Sequence, residues 1–184
     1  YKRQDENMTA KFDVQVPFGK YYVQEIGTDE HYVLNGEKYL VTFEYQGQDI
    51  QTVSIDCGTF ENRLKRGKIE GIKTNESGDP LENALFGLFA MDCTEFTEEN
   101  ALMTVKSDDK GCFSFADIPF GEFVVREIKA PKGYILSDKV YQVNITEDGQ
   151  TVEITAENKP ITVEFSKRDT DGNELKGAKL QIVD

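Results

Sequence analysis

The chain has 184 residues, 38% hydrophobic and 11% aromatic, enough for one or two small domains with a buried core and too apolar for a disordered chain. Acidic residues outnumber basic ones 34 to 21, a net charge of −13, which argues against nucleic acid and against anionic membrane surfaces as partners. No apolar run approaches the length of a membrane span, so no membrane insertion is expected, and nothing at Tyr1 has the pattern of a signal peptide.

Taken in order, residues 1–66 begin with charged sequence and then read as strands at 11–16, 17–25 (PFGKYYVQE), 39–45 and 51–55, with turn residues such as Asn35-Gly36 and Gln46-Gly47 between them. The basic run FENRLKRGK at 60–68 marks a junction. Residues 67–159 form the fullest unit. Strands are expected at 69–73, 84–91, 102–106, 112–116, 122–128, 140–145 and 151–156, and the acidic stretch 92–100 has room for a turn of helix. Short strands with turns at close spacing indicate a sandwich or a partly open barrel. Residues 160–184 begin the same pattern again, with strands at 161–167 and 177–182. Lys167 answers Lys73, Leu175 answers Leu81 and Ala178 answers Ala84, each 94 positions on. The segment PFGEFVVRE at 119–127 likewise echoes PFGKYYVQE. The chain therefore reads as the rear of one module (1–66), a whole module (67–159) and the front of a third (160–184), a window on a tandem array.

Cysteine is scarce, and Cys57, Cys93 and Cys112 cannot all pair within one chain. Three free, partly buried thiols fit, and so does a Cys93 to Cys112 disulfide. No CxxC or Cys/His spacing suggests zinc, and His31, the sole histidine, leaves a serine or cysteine nucleophile without its usual base. Asp169, Asp171 and Asn173 alternate as in a calcium loop, but Gly172 is misplaced for an EF-hand and no glutamate follows at the required distance, so a plain turn is expected there. No metal and no cofactor is expected. Three N-x-S/T sequons, beginning at Asn7, Asn75 and Asn144, are read as accidental.

Strand parity singles out three polar residues. Phe123 and Val125 share a face with Glu127, Ile69 and Gly71 share one with Lys73, and Val152, Ile154 and Ala156 share one with Asn158. A carboxylate, an amine and an amide thus occupy inward slots on three strands, where isolated polar groups are costly. Two arrangements fit. One is a buried Lys73–Glu127 ion pair beside Asn158, or side chains snorkelling from strand ends. In the other, burial disfavours both charged forms, a proton passes from Lys73 to Glu127, and the neutral amine attacks the Asn158 amide with loss of ammonia. The product would be a Lys73–Asn158 isopeptide, formed in a single turnover, so the chain is not expected to be an enzyme towards any other substrate.

The motifs KTNESGDPL (73–81), ALFGLF (84–89), SDDKGCFSF (107–115), IPFGEFVVREIKAPKGY (118–134) and VEITAENKP (152–160), in this order, resemble the Cna B-type, SpaA-like repeat domains of Gram-positive surface adhesins and pilins. The resemblance implies an all-β, transthyretin-like (prealbumin-like) β-sandwich in tandem modules, with an isopeptide between Lys73 and Asn158 assisted by Glu127. In the first module it implies the same assisting role for Glu25 and the acceptor role for Asn62, whose lysine would precede Tyr1. Asn62 is out of step with Val53 and Ile55 unless a bulge near Gly58 resets the register. In the third module it implies Lys167, with partners beyond Asp184. Gly71 stands where the family usually has an apolar residue, a departure that would loosen the pocket around Lys73. The implied function is a structural stalk or shaft module of a cell-surface adhesin or pilin, outside the cell and anchored to the wall through a missing C-terminus. Its partners would be neighbouring modules of the same polypeptide, with a host ligand contacted by other domains. The alternative is an adhesin module whose loops, 92–100 or 26–36, contact a host protein or glycan.

Overall fold

The computed structural model describes residues 7, 9–12, 15–177 and 179. Among them are nine strands and no helix. The chain divides into two compact units, Tyr1–Lys65 and Arg66–Asp184. The first holds β1 (Gly19–Gln24) and β2 (Lys38–Phe43), an antiparallel pair running from Gly19 opposite Phe43 to Gln24 opposite Lys38.

The second unit carries seven strands, one for each strand expected between residues 67 and 159: β3 (Arg66–Asn75), β4 (Leu85–Ala90), β5 (Met103–Lys106), β6 (Cys112–Pro119), β7 (Gly121–Lys129), β8 (Val140–Ile145) and β9 (Thr151–Asn158). One sheet has the order β6-β3-β9 and the other β5-β4-β7-β8. The pairings are antiparallel except β3 with β9, which is parallel from Lys68 opposite Thr151 to Asn75 opposite Asn158. The inward residues of both sheets, including Ile69, Phe86, Leu88, Phe115, Val125 and Ile145, pack into one core. Alternation of exposed with buried positions from Arg66 to Lys73 in β3, and of exposed with half-buried or buried positions along β9, shows each presenting one face to that core.

β4 is buried on both faces. Its inward residues Phe86 and Leu88 join the core, while Phe89 lies under the loop that follows, where Phe96 meets it edge to face at 5.0 Å. The Arg126 guanidinium sits 4.8 Å from the Phe96 ring. Residues 92–100 contain turns and no helix. Asn100 donates to the Glu95 carbonyl at 3.0 Å, so a short polar side chain competes for backbone groups that a helix needs.

Gly71 does not loosen the core. A Cβ at this position would stand 2.1 Å from Phe113 Cζ, because the Phe113 ring lies over the glycine and stacks on Phe86 at a centroid distance of 4.0 Å. The volume of the usual apolar side chain is supplied from β6. Gly71→Val is therefore expected to cost ~1–3 kcal/mol by overpacking, and Phe113→Ala ~3–5 kcal/mol. Combined in one chain, the two should cost clearly less than their sum, measurable by urea unfolding.

Two expected strands are not formed. Residues 51–55 and 161–167 are irregular, although both carry strand-like sequence. The reason is hydrogen bonding: in the second unit β9 is held by β3, and β3 by β6 and β9, and neither run has such a neighbour among the described residues. The strand expected at 11–16 is not seen at residues 11, 12, 15 and 16, and residues 13 and 14 lie outside the described residues. Of the strand expected at 177–182, residues 178 and 180–182 also lie outside them, including Ala178. The thiols of Cys57, Cys93 and Cys112 are all free, with Cys112 exposed, so the alternative disulfide is not formed.

Candidate functional site

Lys73, Glu127 and Asn158 come together at one end of the core, and all three are buried, with exposures of 0%, 3% and 2%. Lys73 continues the inward row of Ile69 and Gly71 on β3. Asn158 closes the inward row of β9, and since Lys73 is opposite Ala156, the amide lies one inward position further along the neighbouring strand. Glu127 comes from the facing sheet. There β7 carries an extra residue, Ile128, between the pairings of Glu127 with Phe86 and of Lys129 with Leu85. This bulge sits beside the acid, and nothing in the sequence pattern signals it.

The polar atoms satisfy one another. Lys73 Nζ donates to Asn158 Oδ1 at 2.5 Å. Asn158 Nδ2 donates to both Glu127 oxygens at 3.0 Å, and Lys73 Nζ is 3.9 Å from Glu127 Oε1. The amide carbonyl thus faces the amine and the amide nitrogen faces the acid. Ser137 N–H donates to Glu127 Oε2 at 2.9 Å, and the loop carrying Ser137 is tied down where Ile135 N–H donates to Lys159 O at 2.9 Å. Desolvation lowers the Lys73 pKa, opposed by the attraction of Glu127 and then Glu157. Burial likewise pushes the Tyr141 hydroxyl up to about 12, and this group donates to Thr155 O at 3.1 Å.

The lowered lysine gives a signed pH dependence. In a Glu127→Gln chain the carboxylate that opposes the shift is gone, so the unfolded state binds more protons than the folded one between the depressed value and the ordinary 10.5. Stability of that variant is expected to rise with pH through this interval and level off above it, as read from denaturant midpoints across the alkaline range.

The first unit repeats the rear of this arrangement bond for bond. Asn62 Nδ2 donates to Glu25 Oε1 and Oε2 at 2.9 and 3.0 Å, as Asn158 does to Glu127. Asn35 N–H donates to Glu25 Oε2 at 2.8 Å, ten residues after its acid, as Ser137 is ten after Glu127. Val33 N–H donates to Arg63 O as Ile135 N–H does to Lys159 O, and β1 meets β2 in the register that β7 keeps with β8. Asn62 reaches Glu25 without strand register, because residues 51–62 are irregular and Gly58 adopts a left-handed φ of +79°. Glu25 and Asn62 are partly exposed, and Asn62 Nδ2 also contacts Thr28 Oγ1 at 2.6 Å.

The third stretch repeats the front. Leu175 N–H donates to Lys167 O as Leu81 N–H does to Lys73 O, and Asp169 N–H donates to Asn173 O as Asn75 N–H does to Asp79 O. Asp169 Oδ1 accepts from the backbone of Asp171 and Asn173 as Asn75 Oδ1 does from Ser77 and Asp79. The acidic alternation is thus a side-chain-capped turn. His31 sits in a loop beside Asp29. Sequence parity did not reveal the backbone clamps from Asn35 and Ser137, since a backbone donor leaves no residue-type signature.

The two packed sheets, with an inward amine, acid and amide at one end of their shared core, define a prealbumin-like β-sandwich domain. The profile of the SpaA prealbumin-like fold domain matches residues 67–160. The chain belongs to that family. It is 28% identical over 103 residues to the trypsin-resistant surface T6 protein of Streptococcus pyogenes, covering 55% of this chain and 18% of that protein. Among solved structures it resembles the Bacillus anthracis TIE protein, with a TM-score of 0.68 and 23% identity over 86% of this chain and 28% of that one. It also resembles BcpA, the major pilin subunit of Bacillus cereus, with a TM-score of 0.46 and 28% identity over 53% of this chain and 31% of that one. The chain therefore spans less than a third of the length of each of these relatives.

Proposed function

We propose that this chain is a structural segment of a Gram-positive pilus or surface-protein shaft, whose complete module is closed by a Lys73–Asn158 isopeptide. The observation that carries this reading is the buried contact of amine, amide and acid, which brings together residues 85 positions apart. A proton passes from Lys73 to Glu127, leaving a neutral amine and a carboxylic acid. The amine attacks Asn158 Cγ, and the C–N bond to Nδ2 breaks as that nitrogen takes a proton from Glu127 and departs as ammonia. The carboxylate then takes a second proton from Nζ. Of the three ammonium protons, one ends on the isopeptide nitrogen, one on Glu127 and one in ammonia. Packing supplies the driving proximity, since oriented neighbours reach effective molarities of about 10⁵ M or more.

The module boundaries that follow are 1–66, 67–159 and 160–184, supported by hydrogen bonds recurring in the first and third stretches. In the first module Glu25 assists and Asn62 accepts; in the third Lys167 is the amine. A shaft of such modules acts on no external substrate, has other modules of its polypeptide as its partners and stands outside the wall to which its parent is anchored. The T6 protein is named as a surface protein and BcpA as a major pilin, which agrees with this placement. Intact mass tests the chemistry. The parent chain should be lighter than its sequence by one ammonia, and Lys73→Ala should restore the full mass; a parent at full sequence mass reduces the site to a buried ion pair.

A further inference from the structure

The sandwich of the second unit has a seam on one side of its site. Among the described residues β8 is bonded only to β7 and β9 only to β3, so both are edge strands. One side chain bridges these two edges: Tyr141 on β8 donates its hydroxyl to Thr155 O on β9 at 3.1 Å. The register puts this bridge beside the amine. Tyr141 is opposite Val125, one inward position before Glu127 on β7, and Thr155 adjoins Ala156, the residue opposite Lys73. The tyrosine ring packs against the core, and the ammonium of the exposed Lys139 lies 4.8 Å from the ring centroid. Resting on the isopeptide reading above, we infer that Tyr141 is a positioning residue for bond formation, whose ring and hydroxyl close the seam between β8 and β9 and keep water from Lys73 before the amine attacks.

The chemistry needs such a wall. The reactive state is the neutral pair of amine and carboxylic acid, and its isomer is the ion pair of ammonium and carboxylate. Water stabilises the ions more than the neutral forms, so water admitted to the site draws the pair back to the unreactive state. The step is the one written for Lys73, and Tyr141 exchanges no proton in it. Burial first, then Glu127 and Glu157, push its hydroxyl up to about 12, so it stays a donor to Thr155 O through the neutral range. The same two carboxylates, from β7 and β9, act on Lys73 against desolvation, while β4 and β6 contribute Phe86 and Phe113 to the core. The first unit places the same residue at the same point. Tyr39 is opposite Val23 as Tyr141 is opposite Val125, and its ring meets that of Phe60, one alternate position before Asn62, at 4.2 Å. The residue clamping the acid differs between the units, Asn35 in one and Ser137 in the other, while the tyrosine recurs.

The test follows bond formation in time across a range of pH. The full chain is translated without cells in a short labelled pulse, held unfolded in urea and diluted into buffers from acid to alkaline, and the loss of one ammonia is read by intact mass. Because the neutral pair and the ion pair hold the same protons, the parent rate should be bell-shaped in pH, with limbs set by the coupled titration of Lys73 and Glu127. Tyr141→Leu fills part of the core but does not reach Thr155. It is expected to lower the top of the bell about tenfold as the neutral pair becomes scarcer, and to move the limbs apart, the acid limb to lower pH and the alkaline limb to higher. Tyr141→Phe keeps the ring and should hold the limbs of the parent with a smaller loss of rate. Three results would overturn the inference: Tyr141→Leu at the parent rate, a lower bell with unmoved limbs, which is the mark of damaged packing alone, or Tyr141→Phe with the limbs of Tyr141→Leu. A parent that never loses ammonia sinks the isopeptide reading itself, an outcome distinct from all three.

Discussion

A Glu127→Ala chain is expected to purify at its full sequence mass and to unfold at far lower denaturant than the parent. Two losses combine. Without the acid the proton cannot be moved, so the bond across the 85-residue span does not form, and on the chain-entropy account that closure is worth ~4–5 kcal/mol. The substitution also leaves the Lys73 ammonium buried at 0% exposure without its counter-charge, a loss of the kind that costs ~3–5 kcal/mol. The two separate in a Glu127→Ala/Lys73→Met chain, which restores an uncharged interior but cannot cross-link. Its urea midpoint should fall between those of the parent and the single variant. A single variant that still loses ammonia would remove Glu127 from the chemistry.

The second large effect is mechanical. If the proposed isopeptide is present, the parent pulled from its ends should not release the residues between Lys73 and Asn158, because load would then pass from β3 to β9 through a covalent bond. Lys73→Ala frees the 85-residue span, which at ~3.5 Å per extended residue adds about 300 Å of contour length. Single-molecule force spectroscopy should show an extension of that size in the variant and none in the parent. Equal extensions in both would mean that the module bears force through hydrogen bonds alone.

Much of this arrangement is legible in the sequence. Alternation placed Lys73, Glu127 and Asn158 inward because β3, β7 and β9 each have one face against the core, and the 94-residue repeat exposed the third stretch. Strand propensity failed at 51–55 and 161–167 for one reason. A strand is a relation between neighbours, and propensity describes only one partner. The place of Gly71 was misjudged because the compensating ring arrives from Phe113 on another strand, a contact with no local signature. The bulge at Ile128 and the packing of Phe96 on Phe89 are likewise products of the assembled sheets.

The backbone clamp on each acid has a consequence for how such modules diverge. The residue whose N–H holds Glu25 is asparagine, and the one that holds Glu127 is serine. Because the peptide group and not the side chain makes the bond, nineteen of the twenty amino acids can supply it, and only proline would delete it. The side chain has a separate task in both copies, Asn35 Oδ1 accepting from Glu37 N–H and Ser137 Oγ from Lys139 N–H, so the position can drift among short capping residues while the clamp on the acid stays in place.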